Sequence, residues 1–262
     1  MVMGGQAELI KFERGLATKR GSNMLAIKKL SNFAKLDVGR ELRKGLPEVI
    51  LAEGKDPTDV SRIAQAMVQK TGRAIISRAD ERHLRKMKAT RFENSRIEFF
   101  SKSRMIVVKR LSLRSKRTGG RLGILTAGTS DIPIAEEAKI MAGEMGCETR
   151  DFYDVGVAGL HRLFAPLTEL LRWDVDVILV VAGREGALPT VVAGLVDVPV
   201  IAVPTSRSYG FGDKGVAALA AMLQSCSLGL AVVNIDGGVG AGSIGALIAN
   251  RAAHGRAGRT RG

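Results

Sequence analysis

From about residue 119 onward, apolar and polar positions alternate in blocks rather than residue by residue. Apolar, β-rich runs recur at Leu122–Thr126, Glu148–Tyr153, Val177–Ala182, Val198–Val203 and Leu230–Ile235. Helical segments fall between them, near 132–145, 159–172, 187–195 and 213–223, with a last one near 242–252. Strands that read as buried on both faces and alternate with helices indicate a parallel sheet covered on each side. The expected class is therefore α/β, with a doubly wound, five-stranded parallel sheet over residues 121–253. Its size suits the flavodoxin-like strand order. Ligands of such sheets lie at the carboxyl ends of the strands, near the switch in strand order, so chemistry is expected in the loops after the first three strands.

The first half is patterned over shorter distances. Residues 1–35 are basic and weakly periodic, and read as a mobile or partly helical arm. A small basic α/β lobe is expected over 36–111. It begins with a short helical stretch from Leu36 through Arg43, and Pro47 then forces an extended continuation through Val49, Ile50 and Leu51. Asp56 can cap the next helix and Pro57 suits its first position. Val60, Ile63, Ala64, Met67 and Val68 form its apolar stripe, and Gly72 stops it. Ile75–Ile76 and Met105–Val108 read as short strands around a basic helical stretch. Ser112–Gly120 is polar and glycine-terminated, a linker, and 254–262 reads as a basic tail.

Charge sharpens this division. Residues 1–122 carry 29 Lys and Arg against 12 Asp and Glu, a surplus of +17, while the remainder carries 11 against 14, or −3. Such a surplus can mark a nucleic-acid surface. Here the basic residues are scattered along helical patterns, and aromatic residues, at 4 % of the chain, offer few platforms for stacking bases. Solvated basic faces are the expected reading, and a nucleic-acid partner is not expected. No apolar run reaches the length of a membrane span, and the N-terminus lacks a secretory apolar core. Cys147 and Cys226 fit neither a disulfide framework nor a metal knuckle, so a reducing cytoplasm is the expected compartment.

Three loops then stand out. Ala127-Gly128-Thr129-Ser130-Asp131-Ile132-Pro133 follows the first strand, where glycine, hydroxyls and the free amides of a helix start can hold an anion. The same residues would also make an ordinary cap, and their place after the first strand favours phosphate. Asp154 to Arg162 follows the second strand, with small residues that admit a ligand and with His161 and Arg162 able to pair with anions. After the third strand, Arg184 and Glu185 sit on a turn at the expected cleft, a suitable place for a general base. Gly240 to Gly245 fits GxGxxG, yet only 17 residues follow it, too few for a dinucleotide-binding unit, so it reads as a close-packed helix start. Cys226, between a helix and the last strand, falls at the edge opposite the expected cleft. A catalytic role for it would need another subunit or a loop folded far round.

The stretches GILTAGTSDIPIAEEA, YDVGVAGLHRL, VVAGREGALPTVVAG, AVPTSRSYG and LQSCSLGLAVVNIDGGVGAG resemble the nickel-pincer-cofactor biosynthesis family LarB, as does LDVGRELRKGLPEVILAEGKDP. The likeness runs through nearly the whole chain from Leu36. The second half is also similar to the aminoimidazole ribonucleotide carboxylase domain of purine synthesis (PurE), whose Gly-Ser-x-Ser-Asp loop binds a ribose phosphate. Here the matching loop, Gly128-Thr129-Ser130-Asp131, is one residue shorter. The purine enzymes have Ala-His-Leu-Pro, with a proton-shuttling histidine, where this chain has Gly186-Ala187-Leu188-Pro189. Loss of such a proton carrier costs about 10²–10⁴-fold in rate, so the resemblance favours LarB over a purine carboxylase or mutase.

The LarB resemblance implies carboxylation of nicotinic acid adenine dinucleotide at pyridinium C5, with CO₂ as co-substrate. Hydrolysis of the phosphoanhydride then gives pyridinium-3,5-biscarboxylic acid mononucleotide and AMP. It implies Cys226 as the thiolate that adds at C4 and Glu185 as the base that removes the C5 proton. Thr129, Ser130 and Asp131 would hold ribose or phosphate, with Asp154, His161 and Arg184 as further contacts. Mg²⁺ would assist the phosphoanhydride cut, although the sequence offers no evident ligand set. A homo-oligomer is implied, with an octamer favoured.

Overall fold

The structure, a computed structural model, describes Asn23 and residues 26–30, 33–114 and 117–259. The chain divides into two compact units at about Arg114, with Ser101–Ser103 grouped with the second.

In the first unit, β1 (Ile27–Leu30) and β2 (Ala34–Asp37) pair antiparallel. Then come α1 (Arg40–Lys44), β3 (Val49–Leu51), α2 (Pro57–Thr71), β4 (Arg73–Ser77), α3 (Glu81–Ala89), β5 (Ser95–Phe100) and β6 (Met105–Arg110). The last four strands form one sheet in the order β3-β4-β6-β5, parallel between β3 and β4 and antiparallel elsewhere. Helix α2 forms as its pattern dictates. The Thr58 amide donates to Asp56 Oδ1 at 2.7 Å, the whole apolar stripe from Val60 to Val68 is buried, and Gly72 closes the helix in the left-handed region at φ 80°.

Three expectations in this unit are corrected. A strand, β1, replaces the weakly patterned end of the arm, because two lysines in four residues mask Leu30, which packs on the core, while Ile27 is exposed. Leu36 and Asp37 belong to β2 rather than to a helix, which starts only at Arg40. Strand β5 was not expected. Its Arg96 and Glu98 pair with each other at 2.8 Å, and this charged content conceals a sheet-edge strand. The rest of the arm, residues 1–22, lies outside the described residues.

The second unit realises the α/β expectation. Its elements are β7 (Arg121–Thr126), α4 (Ile132–Glu144), β8 (Glu148–Phe152), α5 (His161–Arg172) and β9 (Val177–Ala182). They continue with α6 (Ala187–Ala193), β10 (Val200–Pro204), α7 (Val216–Leu223), β11 (Leu230–Val232) and α8 (Gly238–Arg259). All five strands are parallel, in the order β11-β10-β9-β7-β8, which is the flavodoxin-like arrangement. Strand β7 lies where the order reverses, with β8 on one side and β9 on the other. Every residue of β9 is buried, and α5, α6 and α7 cover one face through Leu163, Leu167, Leu188, Val192, Ala218 and Met222. Helices α4 and α8 pack against each other and the other face.

The GxGxxG run lies inside α8, where it serves packing. A Cβ on Gly242 would sit 2.4 Å from the Ala138 carbonyl oxygen of α4, so only glycine permits this approach. Helix α8 is longer than the expected 242–252 and absorbs most of the basic tail. Arg256 explains the extension, since it pairs with the buried Asp176 carboxylate and donates to the Gly119 carbonyl at 3.1 Å. The end of the expected linker is also fastened here, through Thr118, whose amide and hydroxyl both donate to the Gly146 carbonyl at 3.0 Å. Ser115 and Lys116 lie outside the described residues. No described helix is long and apolar enough to cross a membrane.

Candidate active site

A cavity of about 380 Å³ opens where strand carboxyl ends meet. Four loops wall it. Ala127, Gly128, Ser130 and Asp131 come from the loop after β7, and Gly156, Val157, Ala158 and Arg162 from the segment after β8. Ala182 to Glu185, with Ala187 and Leu188, follow β9, and Arg207 follows β10.

Asp131 fixes the frame. Its carboxylate is buried, with Oδ2 accepting from the Gly128 amide at 3.0 Å and Oδ1 accepting from the Thr205 hydroxyl at 2.7 Å. Burial pushes the carboxyl above its ordinary pKa, while hydrogen bonds from Thr205, Gly128 and Gly183 oppose that rise. One side chain thereby ties together the loops after β7, β9 and β10. Gly183 makes the tie possible, because a Cβ there would lie 2.7 Å from the Thr205 hydroxyl oxygen. Asp131 thus has both oxygens occupied by its own chain. Ser130 lines the cavity, while Thr129, exposed on the same turn, does not.

The loop after β8 delivers an arginine. Asp154 lies outside the cavity wall, and its Oδ2 accepts from Arg162 Nη1 at 2.9 Å. This bond holds the Arg162 guanidinium from one side. His161 is exposed and absent from the wall. Successive helical positions differ by about 100° in direction, so a helix that turns Arg162 inward turns its neighbour away.

After β9, Arg184 takes a left-handed conformation, φ 51°, and its guanidinium lies 4.2 Å above the centre of the Tyr209 ring. Glu185 presents an exposed carboxylate to the cavity, two residues from the small side chain of Ala187. The cavity therefore joins three guanidinium groups, one solvent-facing carboxylate and a floor of small residues. Such a combination suits an anionic ligand that lies close to the backbone.

Arg207 and Tyr209 were not singled out as site residues, although both fall in AVPTSRSYG, one of the stretches that carry the LarB resemblance. Position gave a second signal: Arg207 is the third residue beyond the end of β10, at the same sheet edge as the other loops.

Cys226 is exposed in the loop between α7 and β11 and does not line the cavity of its own chain. Neighbouring serines clip that loop to α6. The Thr190 hydroxyl donates to Ser225 Oγ at 2.9 Å, and the Ser227 hydroxyl donates to the Thr190 carbonyl at 2.9 Å. Within a single chain, this thiol is therefore not part of the cavity that Glu185 lines. Among the described residues no group of three or more His, Cys, Asp or Glu is placed to hold a metal ion.

Comparison with known proteins gives two family matches. Residues 27–110 match the LarB/PurE-like N-terminal domain, and residues 121–258 match AIR carboxylase. Over 217 residues the chain is 46 % identical to an uncharacterized protein of Methanocaldococcus jannaschii, covering 82 % of this chain and 83 % of that one. It is 34 % identical over 116 residues to the N5-carboxyaminoimidazole ribonucleotide mutase of the same organism, covering 44 % of this chain and 69 % of the mutase. With the Thermotoga maritima protein of that name it shares 29 % identity over 92 residues, which cover 34 % of this chain and 52 % of the other.

Proposed function

The chain belongs to the AIR carboxylase family, with a LarB/PurE-like N-terminal domain ahead of the carboxylase domain, and on that premise we propose that it is a pyridinium-3,5-biscarboxylic acid mononucleotide synthase. Its substrates are nicotinic acid adenine dinucleotide, CO₂ and water, and its products are the biscarboxylated mononucleotide and AMP. The observation that carries this choice within the family is Ala187. It lines the cavity close to Glu185, at the position where the similar purine enzymes hold a proton-shuttling histidine. A methyl group there leaves the purine reaction without its proton carrier.

The chemistry follows from the substrate's electronics. A pyridinium ring is too electron-poor to attack CO₂. Addition of the Cys226 thiolate at C4 forms a C–S bond and leaves an enamine with a nucleophilic C5. The C5 carbon then bonds to CO₂. Glu185 takes the C5 proton, and the electron pair left behind reforms the ring π-system as the C4–S bond breaks and thiolate departs. Ser130 and the amides of the turn just after Gly128 receive phosphate oxygens, and Arg162, paired with Asp154, supplies a countercharge. Water displaces AMP at the phosphoanhydride. Since Cys226 does not reach the cavity of its own chain, a second copy supplies it, in a homo-oligomer. We place the reaction in the cytoplasm, where the thiol stays reduced.

The test is mass spectrometry after incubation with nicotinic acid adenine dinucleotide and bicarbonate-derived CO₂. The expected result is a mononucleotide carrying one added carboxylate, together with AMP. Cys226→Ala should lose product while still binding the dinucleotide, and full activity in that variant would overturn the covalent step. Consumption of aminoimidazole ribonucleotide instead would assign the purine reaction.

A further inference from the structure

The cavity's three arginines are not equivalent. Arg162 is committed to Asp154 at 2.9 Å, and the Arg184 guanidinium sits 4.2 Å from the centre of the Tyr209 ring. Arg207 lines the cavity with no hydrogen-bond or ion-pair partner among the described residues. Its backbone is nevertheless held on both sides. The Ser206 amide donates to Asp236 Oδ1 at 2.8 Å, and Ser208 Oγ donates to the Gly212 carbonyl at 3.2 Å while accepting from the Gly215 amide at 3.1 Å. The Arg207 carbonyl itself packs against Gly183. A guanidinium without a partner, on a pinned segment, is a prepared anion contact.

Strand order says which anion. Arg162 and the Gly128–Ser130 turn follow β8 and β7, whereas Glu185 and Arg207 follow β9 and β10. Strands β8 and β10 stand three places apart in the sheet, roughly 14 Å at the usual spacing between neighbours. One end of the cavity thus has the helix-start amides and an arginine suited to phosphate. The other has the proposed base, and so the reacting ring, with the unpaired Arg207 in the same wall. Resting on the functional reading above, we infer that Arg207 is a specificity-determining residue: it binds the carboxylate already on the pyridinium ring and selects the nicotinic acid dinucleotide over its uncharged amide counterpart.

Calorimetric titration of the full chain tests this with nicotinic acid adenine dinucleotide, nicotinamide adenine dinucleotide and AMP as probes. The native protein should prefer the acid to the amide. Arg207→Gln should weaken the acid by roughly ten- to a hundredfold, the range of a charge-assisted hydrogen bond, and bring it level with the amide. Affinities for the amide and for AMP should stay within about twofold, and Arg207→Lys should recover part of the preference. Equal weakening of both dinucleotides, or none, would overturn this role and leave the proposed function standing. Failure of native protein to bind either dinucleotide would overturn the proposed function, and this inference with it.

Discussion

Asp131 is the residue on which the cavity's shape turns, and its burial makes it sensitive to acid in an unusual direction. Its carboxyl is raised by burial and by the nearby Asp236, despite the bonds from Thr205, Gly128 and Gly183. A carboxyl raised in the folded state binds a proton more readily there than in the unfolded chain, where it titrates at about 3.9. Between those two values the folded chain holds more protons, so this group's contribution falls as pH rises and grows as pH falls. Asp131→Asn removes the titration. In urea unfolding followed across that window, the native protein should gain on the variant as pH is lowered. A gap that stays constant with pH would mean the carboxylate is solvated.

The same residue shows what a sequence can disclose. Gly128, Ser130 and Asp131, like Arg184 and Glu185, announced themselves by following strands, since turn chemistry and ligand chemistry use the same residue types. That Asp131 would spend both oxygens on its own chain was not legible, because Thr205 lies far along the sequence. Asp154 and His161 looked alike in the sequence as polar groups of the loop after the second strand. Both are exposed, and what separates them is a partner: Asp154 accepts from Arg162.

Strands were readable in proportion to their burial. Val177–Ala182 was bounded correctly because all six residues are buried and nothing polar interrupts them. Strands β1 and β5 hold lysine, arginine and glutamate along half-exposed edges, and period-two patterning fails when solvent reaches both faces. Helix α8 extended further than expected because its ends are set by distant partners, Ala138 near one and Asp176 near the other. Its contact with α4 gives a test. In Gly242→Val the new side chain must enter a gap already closed by the Ala138 backbone, which cannot yield as a side-chain tip would. Overpacking of this kind costs about 1–3 kcal/mol, and thermal or urea unfolding should register it. An unchanged midpoint would show that the two helices are further apart than described.

The assembled protein must solve a problem that neither residues nor elements solve alone. The reaction proposed here needs a thiolate and a base at adjacent ring carbons, yet within one chain Cys226 does not line the cavity that Glu185 lines. The surface around Cys226 suggests how they meet: Val216, Leu223 and Leu228 are 62 %, 67 % and 92 % exposed on the helix and loop that carry it. Apolar side chains left open beside a reactive group suit burial against another copy, which would bring that thiol to the copy's cavity. A site shared in this way makes a demand that a self-contained one does not. Cys226→Ala and Glu185→Gln, each inactive alone, should regain part of the native rate when dissociated, mixed and reassembled, because some sites then pair an intact thiol with an intact base. Light scattering should find the active species larger than one chain. A stable, fully active monomer, or mixed assemblies that remain inactive, would require the Cys226 loop to reach its own cavity by a rearrangement of the Ser225–Thr190–Ser227 clip.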